Sequence, residues 1–190
     1  MYPKSYPKNN LTITDGIGME DIFILSFITI LISIILWGAW PIIIGAVFVP
    51  TPMNIVRKML EIAEMGENDI LIDLGSGDGR IIIEAAKTYE ANAIGIEADP
   101  LRVLWSRFNI RAKGLQSKVK IVWGNFFKTD LSNATVITVY QGQGINNKLI
   151  SKFVEELESG TRVVSYAFTF DGWVPCKEDQ DSGVYLYKIP

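Results

Sequence analysis

The residues best placed to do chemistry lie in Asp73-Leu-Gly-Ser-Gly-Asp-Gly-Arg80. Gly75, Gly77 and Gly79 follow G-x-G-x-G spacing, and without a Cβ such a turn lets a ligand approach the backbone closely. Before it, Asp69-Ile-Leu-Ile72 reads as a buried strand; after it, Ile81-Ile-Ile-Glu-Ala-Ala-Lys87 reads as a helix whose first N–H groups can hold a polar or anionic group. A second acid, Glu97, closes the apolar run Ala93-Ile-Gly-Ile96 about twenty residues on, where a carboxylate holding a ribose diol is expected.

Composition narrows the chemistry. The 190-residue chain contains no histidine, which excludes Ser-His and Cys-His nucleophilic catalysis and the commonest zinc ligand sets. Cys176 is the single cysteine, so there is neither an internal disulfide nor a cysteine metal cluster, and no metal site is expected. Net charge is −3 with no basic run, which disfavours a long nucleic-acid partner. The reaction must rely on a reactive cosubstrate together with carboxylates, tyrosines and backbone dipoles.

The elements that position these groups alternate along the chain. Strands are expected over 69–73, 93–97, 119–123, 134–140 and 161–167, with helices over 79–88, 100–112 and 145–158. A further helix follows Pro50-Thr51-Pro52, with Thr51 as N-cap and Pro52 as first helical residue, and Gly66 ends it. Phe168 to Val174 and Val184 to Ile189 read as a closing hairpin around the polar loop Lys177 to Ser182. The alternation implies an α/β fold with a mostly parallel sheet and helices on both faces. Ligands of such sheets sit beyond the carboxyl ends of the strands. Those ends offer Asp73, Glu97, Asn125 with Phe126, Tyr140 with Gln141, and Tyr166. Plainer roles compete: Glu97 as a solvated strand end, Asn125 as a turn cap, Asp78 as a loop-shaping residue, Trp123, Phe126 and Phe127 as packing. Asp99 before Pro100 reads as a helix N-cap.

Ile22 to Trp40 carries no charge and at 1.5 Å per residue would span roughly 28 Å, close to the hydrocarbon thickness of a bilayer. Apolar character continues to Val49, and Trp37 and Trp40 would sit near one interface. The expected division is a short extramembrane lead over 1–21, a transmembrane helix and junction over 22–49, and a soluble domain over 50–190. Asn10-Leu-Thr12 matches a glycosylation sequon within the lead.

The strand, the turn Asp73 to Gly79 and Glu97 resemble motif I of the class I S-adenosylmethionine-dependent methyltransferases. The likeness extends through Pro50-Thr-Pro52, Met59-Leu-Glu-Ile-Ala63, Gly124-Asn-Phe-Phe127, Gly160-Thr-Arg-Val-Val-Ser165 and Val184-Tyr-Leu-Tyr187. Together these resemble the archaeal protein lysine methyltransferases, themselves similar to the membrane-anchored mitochondrial family that methylates lysine on the ATP synthase c-subunit. The resemblance implies a Rossmann-like seven-stranded class I methyltransferase sheet, S-adenosylmethionine as cofactor, and a lysine ε-amine of a protein as acceptor, a membrane protein or membrane complex among the candidates. Glu97 would then hold the ribose, and Asp73 with Gly75, Ser76, Gly77 and Gly79 the methionine end. Asn125 and Phe126 would meet the adenine. Tyr140, Gln141 and Tyr166 would orient a neutral amine for in-line displacement at the sulfonium methyl.

Two segments depart from the pattern on the acceptor side. Tyr140-Gln-Gly-Gln-Gly144 replaces an apolar or Pro-containing run, and Ser165-Tyr-Ala167 stands where the soluble archaeal enzymes tend to read Ser-His-Glu. A non-catalytic member of a membrane complex and a lipid or small-molecule methyltransferase are the alternatives. The Asn-Pro-Pro-Tyr signature of adenine and glutamine amide methylation is absent. Because S-adenosylmethionine is cytosolic, a working domain after the membrane helix would face the cytoplasm.

Overall fold

The computed structural model describes residues 18–43 and 49–190. The chain divides into two compact units, Met1–Val47 and Phe48–Pro190. The first contains helix α1, Met19–Ile43, whose 25 residues would extend about 37 Å. From Met19 to Leu36 it is long and apolar enough to cross a membrane, and none of it is buried within the protein. Thr29 and Ser33 do not interrupt it, because their hydroxyls donate to the Leu25 and Thr29 carbonyls one turn back. Residues 1–17 of the lead, with the sequon, and the side chains of Trp37 and Trp40 lie outside the described residues, whereas Met19, Glu20 and Asp21, expected in the lead, belong to α1.

The second unit is a seven-stranded sheet flanked by helices on both faces. In chain order it runs α2 (Met53–Ile62), β1 (Ile70–Leu74), α3 (Arg80–Tyr89), β2 (Asn92–Glu97), α4 (Pro100–Ala112), β3 (Val119–Trp123), β4 (Val136–Val139), α5 (Gln143–Glu156), β5 (Arg162–Tyr166), β6 (Lys177–Asp179) and β7 (Val184–Lys188). The spatial order is β3-β2-β1-β4-β5-β7-β6. The first five strands pair in parallel and β7 runs antiparallel to both neighbours. The chain moves outward from β1 to β2 and β3, then returns to the other side of β1 as β4. The crevice between the carboxyl ends of β1 and β4 is therefore the switch point where such sheets bind ligands. One apolar core gathers Val56, Met59, Leu60, Ile82 and Val103 from α2, α3 and α4. The other gathers Leu149 and Phe153 of α5 with Phe170 and Tyr187.

Helix boundaries follow local punctuation. Asp99 caps α4 by accepting from the Leu101 N–H at 2.9 Å, with Pro100 at the first helical position. The expected cap of α2 is different. Pro52 occupies the N-cap position without a side-chain bond, and Thr51 instead accepts Arg80 at its carbonyl oxygen, 2.8 Å away.

The closing hairpin also differs from expectation. Residues 168–174 form a loop, and β6 lies in the polar segment expected to be the turn. Aromatic content at Phe170 and Trp173 reflects burial rather than pairing. Their rings lie 5.3 Å apart, and Phe170 meets Tyr187 edge-on at 5.1 Å. β6 is an edge strand, short, polar and mostly exposed, a composition suited to a free sheet edge.

Candidate active site

Strand register sets Asp73 and Glu97 at the carboxyl ends of adjacent strands. Asp73 stands between Gly95 on β2 and Thr138 on β4. Only 3% of it is exposed, and its Oδ1 accepts from the Thr138 hydroxyl at 2.8 Å. Burial pushes its pKa up to about 7 against the pull of the Thr138 bond, with the charges of Glu97 and Asp78 adding to the rise. Glu97 is 5% exposed. Its Oε2 accepts from the Gly77 N–H at 2.8 Å and its Oε1 from the Asp99 N–H at 2.9 Å. Arg102 Nη1 stands 3.9 Å from Oε1. Glu97 is thus a buried carboxylate that secures the glycine turn, not a solvated strand end.

The turn itself is firmly held. Gly75, Gly77 and Gly79 all have positive φ (79°, 57° and 82°), conformations that glycine adopts without strain. The Gly75 and Ser76 N–H groups both donate to the Ile96 carbonyl, and Gly79 donates to Ser76. The Arg80 N–H donates to Asp78 Oδ1. The loop donors expected to face a ligand are therefore largely engaged within the protein, and the space a Cβ would fill is taken by Gln141 at Gly75 and by Ser106 at Gly79. From α4, Ser106 donates to the Gly77 carbonyl at 2.9 Å and Asn109 to that of Asp78 at 3.3 Å. Asp78 shapes the loop through its ion pair with Arg80.

Gly95 carries a role not visible in the sequence. A Cβ there would lie 2.5 Å from Ser76 Oγ and 2.7 Å from Ile121 Cδ1. The missing side chain is what allows the ligand turn to pack onto β2. Gly95→Ala is expected to destabilise the domain by about 1–3 kcal/mol through overpacking, read as a lowered Tm together with weakened cofactor affinity.

On the acceptor side, Gln141 donates to the Leu74 carbonyl at 3.1 Å and lies against Gly75, where a Cβ would come within 2.3 Å of its Nε2. The Tyr140 and Tyr166 rings are 4.6 Å apart, and Phe168 stacks on Tyr140 at 6.4 Å. The loop after β5 that carries Phe168 is set by residues that sequence reasoning missed. Buried Asn146 of α5 donates to Ser165 Oγ at 3.0 Å and to the Phe168 carbonyl at 3.2 Å. Ala167 adopts a left-handed φ of 65° and donates its N–H to Gly183. Asn125 makes a turn, its Oδ1 accepting from the Phe127 N–H at 2.9 Å, and the Phe126 and Phe127 rings touch at 4.8 Å. A groove between α2 and β6, lined by Lys58, Glu61 and Asp179, holds charges already paired with one another.

Residues 73–177, more than half of the chain, match the family described as the ANTKMT methyltransferase domain. The chain belongs to that family. Among relatives of this methyltransferase, a protein-lysine N-methyltransferase of Saccharolobus islandicus (strain REY15A) is 45% identical over 149 residues, covering 75% of this chain and 92% of that protein. The Homo sapiens ATP synthase c-subunit lysine N-methyltransferase is 30% identical over 128 residues, 67% of this chain and 54% of that longer protein. The crystal structure of an RNA methyltransferase from Salinibacter ruber in complex with S-adenosyl-L-homocysteine superposes with a TM-score of 0.73 at 43% identity, covering 75% of this chain and 94% of that one. The sheet order is that of the class I methyltransferases, as the residue pattern implied.

Proposed function

We propose that this chain is an S-adenosylmethionine-dependent protein-lysine N-methyltransferase, held to a membrane through α1 with its catalytic unit on the cytoplasmic side. The observation that carries the reading is the juxtaposition of two buried acids, Asp73 and Glu97, with a glycine turn at the switch point. Two buried carboxyl groups with one guanidinium nearby suit a ligand bearing positive charge. Asp73 holds the cationic methionine end, Glu97 offers its remaining lone pairs to the ribose hydroxyls, and Gly75, Ser76, Gly77 and Gly79 shape the turn beside them. Phe126 and the Asn125 amide nitrogen meet the adenine.

S-adenosylmethionine supplies a methyl group on a sulfonium, an electrophile that needs no metal or base to activate it. The protein's task is then to present a neutral amine in line. Tyr140, Tyr166 and Phe168 form an aromatic cluster against which the methylene chain of a lysine would pack. Excluding water there favours the uncharged amine, and Gln141 fixes the crevice floor against Leu74. Support for lysine comes from the Saccharolobus islandicus and Homo sapiens relatives.

The Salinibacter ruber relative, described as an RNA methyltransferase, supports RNA as a second acceptor. Incubating membranes with methyl-labelled cofactor and separating protein, RNA and lipid fractions distinguishes the acceptors. Label is expected on protein lysine, with the matching mass increments lost from cells lacking the gene; label confined to RNA or lipid overturns the lysine reading. Tyr140→Ala and Tyr166→Ala are each expected to lower kcat about 100-fold by loosening amine alignment. Cofactor affinity, measured by calorimetry, should stay unchanged.

A further inference from the structure

Helix α4 has two apolar faces. Val103, Ser106 and Ile110 are buried against the sheet, while Leu101, Leu104, Trp105 and Phe108 recur at i, i+3, i+4 and i+7 on the opposite side. Leu104 is 64% exposed, Trp105 58% and Phe108 62%, and the last two rings stack at 5.9 Å. Trp123, 65% exposed, adjoins the start of α4 through its indole N–H on the Ala98 carbonyl.

The segment from Pro100 to Thr129 contains no Asp or Glu. Its cations are spread along the sequence, but Arg107, Arg111 and Lys113 are exposed, close to this apolar stripe in the sequence, and take no part in ion pairs among the described residues. In a chain of net charge −3 this is a marked segregation of charge.

We propose that the outer face of α4, with Trp123, docks on an anionic lipid surface. The inference rests on the reading of α1 as a membrane helix. Leu and Trp side chains along a helix, with Arg and Lys around them, suit burial at the headgroup–acyl boundary of anionic lipid. Nine residues, 44–52, separate α1 from α2, and even fully extended they reach only about 30 Å. The bilayer is thus always within reach of the domain at high effective concentration. RNA is the competing occupant, since Trp105, Phe108 and Trp123 offer stacking faces, but Leu101 and Leu104, which cannot stack on a base, favour lipid. A second copy of this chain would bring the same cations into the interface with no acid between Pro100 and Thr129 to pair them. Docking would also hold the ligand turn, gripped by Ser106 and Asn109 of the same helix, near the lipid, as a membrane-embedded acceptor requires.

The test uses the full chain in nanodiscs, with exposed Cys176 replaced (Cys176→Ser) and an environment-sensitive nitrobenzoxadiazole label on Leu104→Cys. Lys148→Cys, exposed on α5, is the labelled control. In discs containing phosphatidylglycerol the label at position 104 is expected to shift to the blue, and the control is not. The shift should weaken in high salt, vanish in pure phosphatidylcholine, and be lost when R107E/R111E is added. Co-elution with anionic discs without a shift at position 104 overturns docking alone, whereas failure to co-elute overturns the membrane reading as well. A shift produced by a short RNA but not by lipid assigns the face to nucleic acid and overturns the proposal.

Discussion

Asp73→Asn is expected to abolish cofactor binding and at the same time raise the thermal stability of the ligand-free protein. The carboxyl is buried and its pKa is pushed up to about 7, while in the unfolded chain it ionises near the ordinary value of 3.8. The folded state therefore keeps a proton that the unfolded state has released, and stability falls as pH rises from about 4 to about 7. The full penalty, present above pH 7, is on the order of a few kcal/mol. An amide of the same shape carries no charge and can still accept from Thr138. The Tm advantage of the variant should grow across that pH window and level off above it. Calorimetric affinity for S-adenosylmethionine should fall at least about 100-fold, because a charge-assisted contact to a cationic group is lost. In the unsubstituted protein, affinity should weaken by up to about tenfold per pH unit below 7, as Asp73 must give up its proton to receive the ligand. An affinity flat from pH 5 to 8 would remove Asp73 from the site.

Glu97→Ala is expected to have the second large effect, by a different route. Its two oxygens hold the Gly77 and Asp99 N–H groups, so truncation leaves two buried donors without partners, each costing about 1–3 kcal/mol. The turn loosens and the α4 cap shifts with it. Loss of both affinity and Tm is expected, in contrast to the opposite signs predicted at Asp73. Urea denaturation of the two variants side by side gives the comparison, and a Glu97→Ala protein as stable as the parent would show that the turn is held by other means.

The parts of this site that the sequence makes legible are those written in local chemistry. Asp99-Pro100 marks the start of α4, and the spacing of Gly75, Gly77 and Gly79 between apolar runs marks the ligand turn. Contacts between distant elements leave no such trace. Gly95 reads as one residue of an apolar run, yet its value lies in what Ser76 needs from it. Asn146 is a polar residue on a helix like many others until β5 brings Ser165 and Phe168 to its amide. Phe170 and Trp173 mislead because aromatic rings are selected by the core whether or not their backbone pairs. β6 is hidden for the converse reason, since an exposed edge favours the polar residues that also suit turns.

Glu97 on β2 and Ser106 and Asn109 on α4 grip the glycine turn through bonds within the protein. The entropy of arranging that turn is lost once, during folding, and is not charged again at each catalytic cycle. The same bonds tie the turn to α4, so a displacement of that helix would carry Gly77 and Asp78 with it.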